Sequence, residues 1–117
     1  MKKEDFLKRT RTFGLHVIHL VETLPRTQTA QILGRQLLRA GTSVGANYRA
    51  AVRAKSRADF ISKMGTVEEE CDESIYWMEM LVDAGSIKAV AVAGLVDEGN
   101  QILSIVVASI KTARRGK

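Results

Sequence analysis

Five arginines are the residues of this sequence whose type and spacing best suit a chemical role. Placed on an α-helix, they fall within an arc of about 80° and extend over roughly 33 Å. They are Arg35, Arg39, Arg49, Arg53 and Arg57. Guanidinium groups form bidentate hydrogen bonds with phosphate oxygens, which favours RNA or DNA as the ligand. Two other interpretations stay open: pairing with the acids of another helix, and a solvated surface.

A second set of polar residues lies at the margins of the apolar faces of two predicted helices. The set consists of Ser43, Asn47, Glu70, Glu73 and Trp77. Polar groups at such margins need hydrogen-bond partners, so we expect a structural network that fixes helix register or a subunit seam. A carboxylate metal or catalytic site is the alternative, although no histidine or nucleophile can be placed beside these carboxylates.

The histidines do not match a known enzyme signature. His16, His19 and Glu22 fall within about 60° on one helix, so either a surface zinc or nickel site or solvated histidines would fit. Neither histidine belongs to the Glu-x-x-His pair of di-iron bundles, and no phosphate-binding glycine loop or nucleophile elbow appears. Cys71 falls on an apolar face and is predicted to be buried. We therefore expect no enzymatic activity, no metal and no cofactor.

These residues must be positioned by helices. The chain has 117 residues, 45% of them hydrophobic and 26% charged, which suits one soluble domain over residues 1–117. Apolar residues recur with helical periodicity in four segments, divided near Pro25, Ser56 and Gly85. The segments are residues 5–24, 27–55, 57–84 and 88–114. Short connections between amphipathic helices predict an all-α, up-down-up-down four-helix bundle.

Two of the dividing residues predict how the third helix begins and ends. Ser56 and Asp59 have the spacing of a capping box, in which each side chain accepts from a backbone N–H at the helix start. Gly85 is predicted to end the third helix in the left-handed conformation.

Charge and composition limit the cellular setting. The net charge is +5, with the excess of positive charge in residues 1–57. A single cysteine rules out an internal disulfide. The longest uncharged run, residues 99–110, is shorter than the roughly 20 residues of a membrane span, and no signal-peptide pattern opens the chain. We expect a cytoplasmic protein that does not enter a membrane.

The first and fourth helices carry more apolar surface than one core requires. In the second helix, Gly34, Gly41 and Gly45 lie within about 40° of one another, which suggests close approach of a neighbouring backbone. The alternative is a long helix that tolerates glycine because other helices support it. Since isolated bundles rarely leave so much apolar surface in water, we predict a homo-oligomer.

Three blocks of the sequence resemble a known family. They are residues 39–47 (RAGTSVGAN), 53–63 (RAKSRADFISK) and 69–81 (EECDESIYWMEML). The chain resembles the small bacterial four-helix-bundle proteins of 23S rRNA intervening sequences, although Ala51 stands where many members carry an acid-glycine pair. The resemblance implies a homo-oligomeric ring, with a pentamer favoured. A distant relative, the accessory protein of diversity-generating retroelements, is a basic ring that binds nucleic acid, so nucleic acid and a reverse transcriptase become candidate partners.

Two functions are compatible with these features of the sequence. The first is binding of structured RNA or duplex nucleic acid by the basic face of the second helix. The second is a protein-interaction scaffold whose basic face pairs with the acidic third helix of a neighbour or with an acidic partner.

Overall fold

The computed structural model describes residues 1–116 and contains four long helices. They are α1 (Lys3–Glu22), α2 (Gln28–Val52), α3 (Arg57–Asp83) and α4 (Ala89–Arg114). The predicted all-α up-down bundle is confirmed. The largest difference in helix bounds is at the end of α2, which stops at Val52 rather than at residue 55.

Local side chains explain where the helices begin and end. At the start of α2, Thr27 Oγ1 accepts a hydrogen bond from the Ala30 N–H at 3.2 Å. Ser56 Oγ does the same for the Asp59 N–H at 3.0 Å. The Asp59 carboxylate, however, accepts from the Lys55 N–H and not from the expected Ser56 N–H. After α3, Gly85 adopts a φ of +78°, as predicted for a left-handed helix end.

The four helices form an elongated bundle of 48 × 21 × 21 Å. Each helix packs on the next one along the chain, and α1 and α4 close the bundle with the smallest contact. The predicted apolar faces form the core, where Leu37, Met64 and Ile102 are fully buried. Tyr48 joins this core although the pattern did not place it there, because its ring packs edge-on against Phe6 at 4.7 Å.

The glycines of α2 face α1 of the same chain. A Cβ on Gly45 would lie 3.3 Å from backbone atoms of Thr10 and Arg11, so the two backbones do approach closely here. A Cβ on Gly41 would lie only 2.7 Å from both γ-methyls of Val17, and one on Gly34 would meet the Leu24 side chain. The glycine strip is therefore used within the chain, and it does not indicate contact with another subunit.

Helix α4 has an unusually apolar surface. By length and composition alone it is the one described helix that could cross a membrane, and only 22% of its most apolar stretch is buried. In the bundle its buried stripe, which includes Val92, Ile102 and Val106, packs into the core. The apolar flanks of this stripe remain only partly covered.

Candidate nucleic-acid interface

The up-down topology concentrates positive charge at one end of the bundle. It brings together the starts of α1 and α3 and the ends of α2 and α4. Within residues 1–116, the terminal three turns of the helices at this end, with the adjoining loops, hold thirteen lysines and arginines but only Glu4, Asp5 and Asp59 as acids. We call this region the basic end. The opposite end, counted in the same way, holds three basic and six acidic residues.

Arg39, near the middle of α2, is already occupied by acids of α3. Its guanidinium donates to Glu70 Oε1 at 3.1 Å and to Glu73 Oε1 at 2.7 Å. These hydrogen bonds, the stronger one to Glu73, raise the pKa of Arg39. The pairing interpretation therefore holds for this arginine, within one chain.

The predicted stripe of five arginines on one helix is wrong. It assumed a helix that continues through residue 57, but α2 ends at Val52 and the chain turns before α3 begins at Arg57. The Arg57 side chain lies beside Gly116, at the end of α4. Arg35 is exposed near the opposite end of the bundle. Only Arg49 and Arg53 remain together.

Arg49 and Arg53 instead meet basic residues from other parts of the chain. On one side they line a cavity with Lys55 and Lys63, between the end of α2 and the start of α3. On the other side they border a groove between α1 and α2, together with Lys8 and Arg11. The result is a six-residue basic surface formed by Lys8, Arg11, Arg49, Arg53, Lys55 and Lys63. Within residues 1–116, Lys63 is the one member that forms an ion pair, with Asp59.

The periodicity of single helices did not point to Lys8, Arg11, Lys55 or Lys63. Lys8 and Arg11 do carry a local signal, since residues three apart lie on one face of a helix. Their approach to Arg49 follows only once the start of α1 is paired with the end of α2.

The predicted polar residues do not form a network with one another across the helices. Ser43 Oγ donates to the Arg39 carbonyl at 2.7 Å, and Asn47 Nδ2 donates to the Ser43 carbonyl at 2.8 Å, so both bond to their own helix. The link to Glu70 and Glu73 comes from Arg39. The buried Nε1 of Trp77 has no hydrogen-bond partner among the described residues.

A second polar cluster lies across the seam between α1 and α4. Arg9 donates to the two carboxylate oxygens of Glu98 at 2.7 and 2.8 Å and also to Gln101. The hydrogen bond from Arg9 lowers the pKa of Glu98. His16 and His19 are exposed and border an open cavity beside this pair.

Among the described residues, the candidate metal ligands do not converge and the cysteine is buried. Over residues 1–116, no group of three histidine, cysteine or acidic side chains comes together to hold a metal ion, and Glu22 is exposed. Cys71 is buried, as predicted, and its thiol donates to the Gly99 carbonyl at 3.2 Å. Burial raises the pKa of Cys71 to about 12, which leaves the unreactive thiol form at neutral pH.

Comparisons with known proteins give the same architecture. The family model described as 23S rRNA-intervening sequence protein matches residues 2–108. A crystal structure of a protein of unknown function from the S23 ribosomal protein family of Bacteroides thetaiotaomicron is 32% identical. It superposes with a TM-score of 0.87 over 95% of this chain and 99% of that chain. No curated protein matches the sequence.

Proposed function

The chain belongs to the 23S rRNA-intervening sequence protein family, and from this premise we propose that it is a cytoplasmic, non-enzymatic protein that binds structured RNA or duplex nucleic acid. The observation that carries the proposal is the basic end, where positive charge from all four helices meets few acids. The contacts fall on backbone phosphates, and the surface centres on Arg49 and Arg53 rather than on a five-arginine stripe.

The side chains that line the α2–α3 cavity and the α1–α2 groove favour contact with phosphates over recognition of bases. Lysine and arginine side chains contribute to the lining of both, although apolar side chains also line the groove between α1 and α2, and no aromatic ring lines either one. Stacking on unpaired bases needs exposed aromatic rings, whereas contact with phosphates needs only convergent positive charge. The expected ligand is therefore a duplex or a folded RNA, bound with little sequence preference.

A protein scaffold is the second candidate function. The ion pairs of Arg39 with Glu70 and Glu73 favour this function, because in them a guanidinium group of α2 pairs with carboxylates of α3. In such a scaffold the remaining arginines would meet the acidic α3 of a neighbouring subunit or an acidic partner protein, such as a nucleic-acid enzyme.

We also propose that the protein assembles with itself. The apolar flanks of α4, with Val90 81% exposed, and Leu15 of α1, 47% exposed, are surfaces that a second copy would cover. The family resemblance favours a pentameric ring. Subunits related by a rotation axis along the bundle would present their basic ends on one side, which multiplies the local positive charge.

Self-association is tested by sedimentation at micromolar concentration. We expect a mass several times 12.9 kDa, and we expect Leu15→Glu to lower it while the exposed Gln36→Glu does not. A parent protein that sediments at 12.9 kDa would contradict the assembly proposal.

The nucleic-acid proposal is tested by fluorescence anisotropy with two RNA hairpins of unrelated sequence at 50 mM salt. We expect similar affinities for both hairpins, and a loss of tenfold or more for Arg49→Gln/Arg53→Gln. The exposed Arg35→Gln at the opposite end serves as the matched control and should bind like the parent. If the double variant binds RNA normally, the proposal fails. If it instead dissociates into monomers, these arginines hold subunits together and the scaffold function is correct.

A further inference from the structure

The cavity between the end of α2 and the start of α3 has the charge of a binding site for a phosphate group and room for the nucleotide that carries it. Its volume is about 530 Å³, within the range of small-molecule sites. Arg49 and Arg53 line it from α2 and the following loop, and Lys55 and Lys63 face them. The short side chains of alanines in α2 leave the space open.

The one acid in this cavity is fully engaged by its neighbours. Asp59 Oδ1 accepts from Lys63 Nζ at 2.7 Å, and Asp59 Oδ2 accepts from the Lys55 N–H at 3.4 Å. The ion pair with Lys63 lowers the pKa of Asp59, so this carboxylate stays ionised and paired at neutral pH. Arg49, Arg53 and the ammonium group of Lys55 have no acidic partner among the described residues. The cavity therefore holds about three uncompensated positive charges.

We propose that this cavity binds a terminal phosphate monoester at the end of a nucleic-acid strand. A phosphate monoester carries a charge of about −1.5 to −2 at pH 7 and has three terminal oxygens. A phosphodiester within a strand carries one negative charge and offers two. Four donor groups that line one cavity match the monoester better, because together they offer enough N–H donors for all three of its oxygens. The inference rests on the proposed function in one respect, since the rest of the basic end must hold the strand.

The phosphate preference has a defined pH dependence. The charged groups that face the cavity are Arg49 and Arg53 from the α2 side, Lys55 from the loop, and Asp59 and Lys63 from α3. No histidine lines it. The second ionisation of a phosphate monoester falls near pH 6, so its advantage over a hydroxyl end should shrink as pH falls from 7.5 to 5.5.

The test uses one RNA hairpin in three forms: with a 5′-phosphate, with a 3′-phosphate, and with two hydroxyl ends. We expect at least one phosphorylated form to bind several-fold more tightly than the hydroxyl form at pH 7.5, with a smaller ratio at pH 5.5. Lys55→Gln/Lys63→Gln should bring that ratio close to one. Lys8→Gln/Arg11→Gln, which changes the groove on the other side, should weaken all three forms and keep the ratio.

The outcomes separate this inference from the proposed function. Equal binding of the three forms overturns the terminal-phosphate site and leaves general nucleic-acid binding intact. If inorganic phosphate abolishes the preference at concentrations as low as those at which the phosphorylated hairpin binds, the cavity is a site for free phosphate and the strand-end assignment is wrong. If no hairpin binds, the proposed function fails. In that case the cavity is tested by itself, by measuring the amide chemical shifts of residues 55–63 by NMR as a 5′-phosphorylated dinucleotide is added. Unchanged shifts overturn the terminal-phosphate site.

Discussion

Replacing Gly41 by alanine tests the contact between α1 and α2 that positions Arg49. The added Cβ would lie 2.7 Å from both γ-methyls of Val17 and 2.9 Å from its Cβ, closer than such atoms can approach. Val17 is fully buried, and a β-branched side chain in a helix has one strongly preferred rotamer, so it cannot turn away. The two helices must therefore separate.

The expected effect is a net loss of stability. Overpacking a core typically costs about 1–3 kcal/mol, and replacing a helical glycine by alanine returns up to about 1 kcal/mol. Because three Val17 atoms are involved, we expect the cost to lie near the upper value, with a net loss of about 1–2 kcal/mol. Gly65 in α3 is the matched control, since a Cβ there meets no atom within 4 Å. Gly65→Ala should instead stabilise the protein by about 0.5–1 kcal/mol.

Urea unfolding followed by circular dichroism, at one protein concentration for all variants, measures both effects. A double-mutant cycle with Val17→Ala assigns the cause, because removing the methyls should make Gly41→Ala far less harmful. If Gly41→Ala stabilises the protein as much as Gly65→Ala does, the packing of α1 on α2 described above is wrong.

Three further predictions concern single side chains. The hydrogen bond from Arg9 lowers the pKa of Glu98 in the folded protein. The ion pair therefore stabilises the fold above about pH 4.3, the pKa of an unfolded glutamate, and this stability is lost as the pH falls through the lower pKa of the folded state. Glu98→Gln should flatten the acid side of a curve of unfolding free energy measured from pH 6 to 2. Cys71 should react with a thiol reagent at pH 8 only as fast as the protein opens, and stoichiometric reaction within seconds would contradict its burial. Arg39→Gln should leave RNA affinity unchanged, because its guanidinium is held by Glu70 and Glu73, and an anisotropy titration showing a tenfold loss would place it in the interface.

The fold could be predicted from the sequence because each helix carries its own periodic apolar face. The spacing of Leu37, Met64 and Ile102 is enough to predict that they are buried. Gly85 predicts a helix end because glycine readily adopts a positive φ. Tyr48 could not be placed in this way. Its burial depends on the ring of Phe6, which belongs to a different helix.

The candidate site was less predictable because it is a property of the assembled bundle. The predicted arginine stripe treats residues 53–56 as part of one continuous helix, but the chain turns there. The same helix projection left pairing with the acids of another helix open but did not single out Arg39 for it, and it gave no sign that Lys8 would lie near Arg49. Both results need the pairing of helices, which the helix periodicity does not specify.

The salt dependence of duplex binding tests most directly the claim that the basic end contacts phosphates. Log affinity should fall linearly with log salt concentration, with a slope of about −0.9 for each phosphate contacted. Removing two contacts by Arg49→Gln/Arg53→Gln should reduce the magnitude of the slope by about 1.8, whereas Arg26→Gln/Arg35→Gln at the opposite end should leave it unchanged. Equal slopes for the parent and the Arg49→Gln/Arg53→Gln variant would contradict the account, because these arginines would then touch no phosphate.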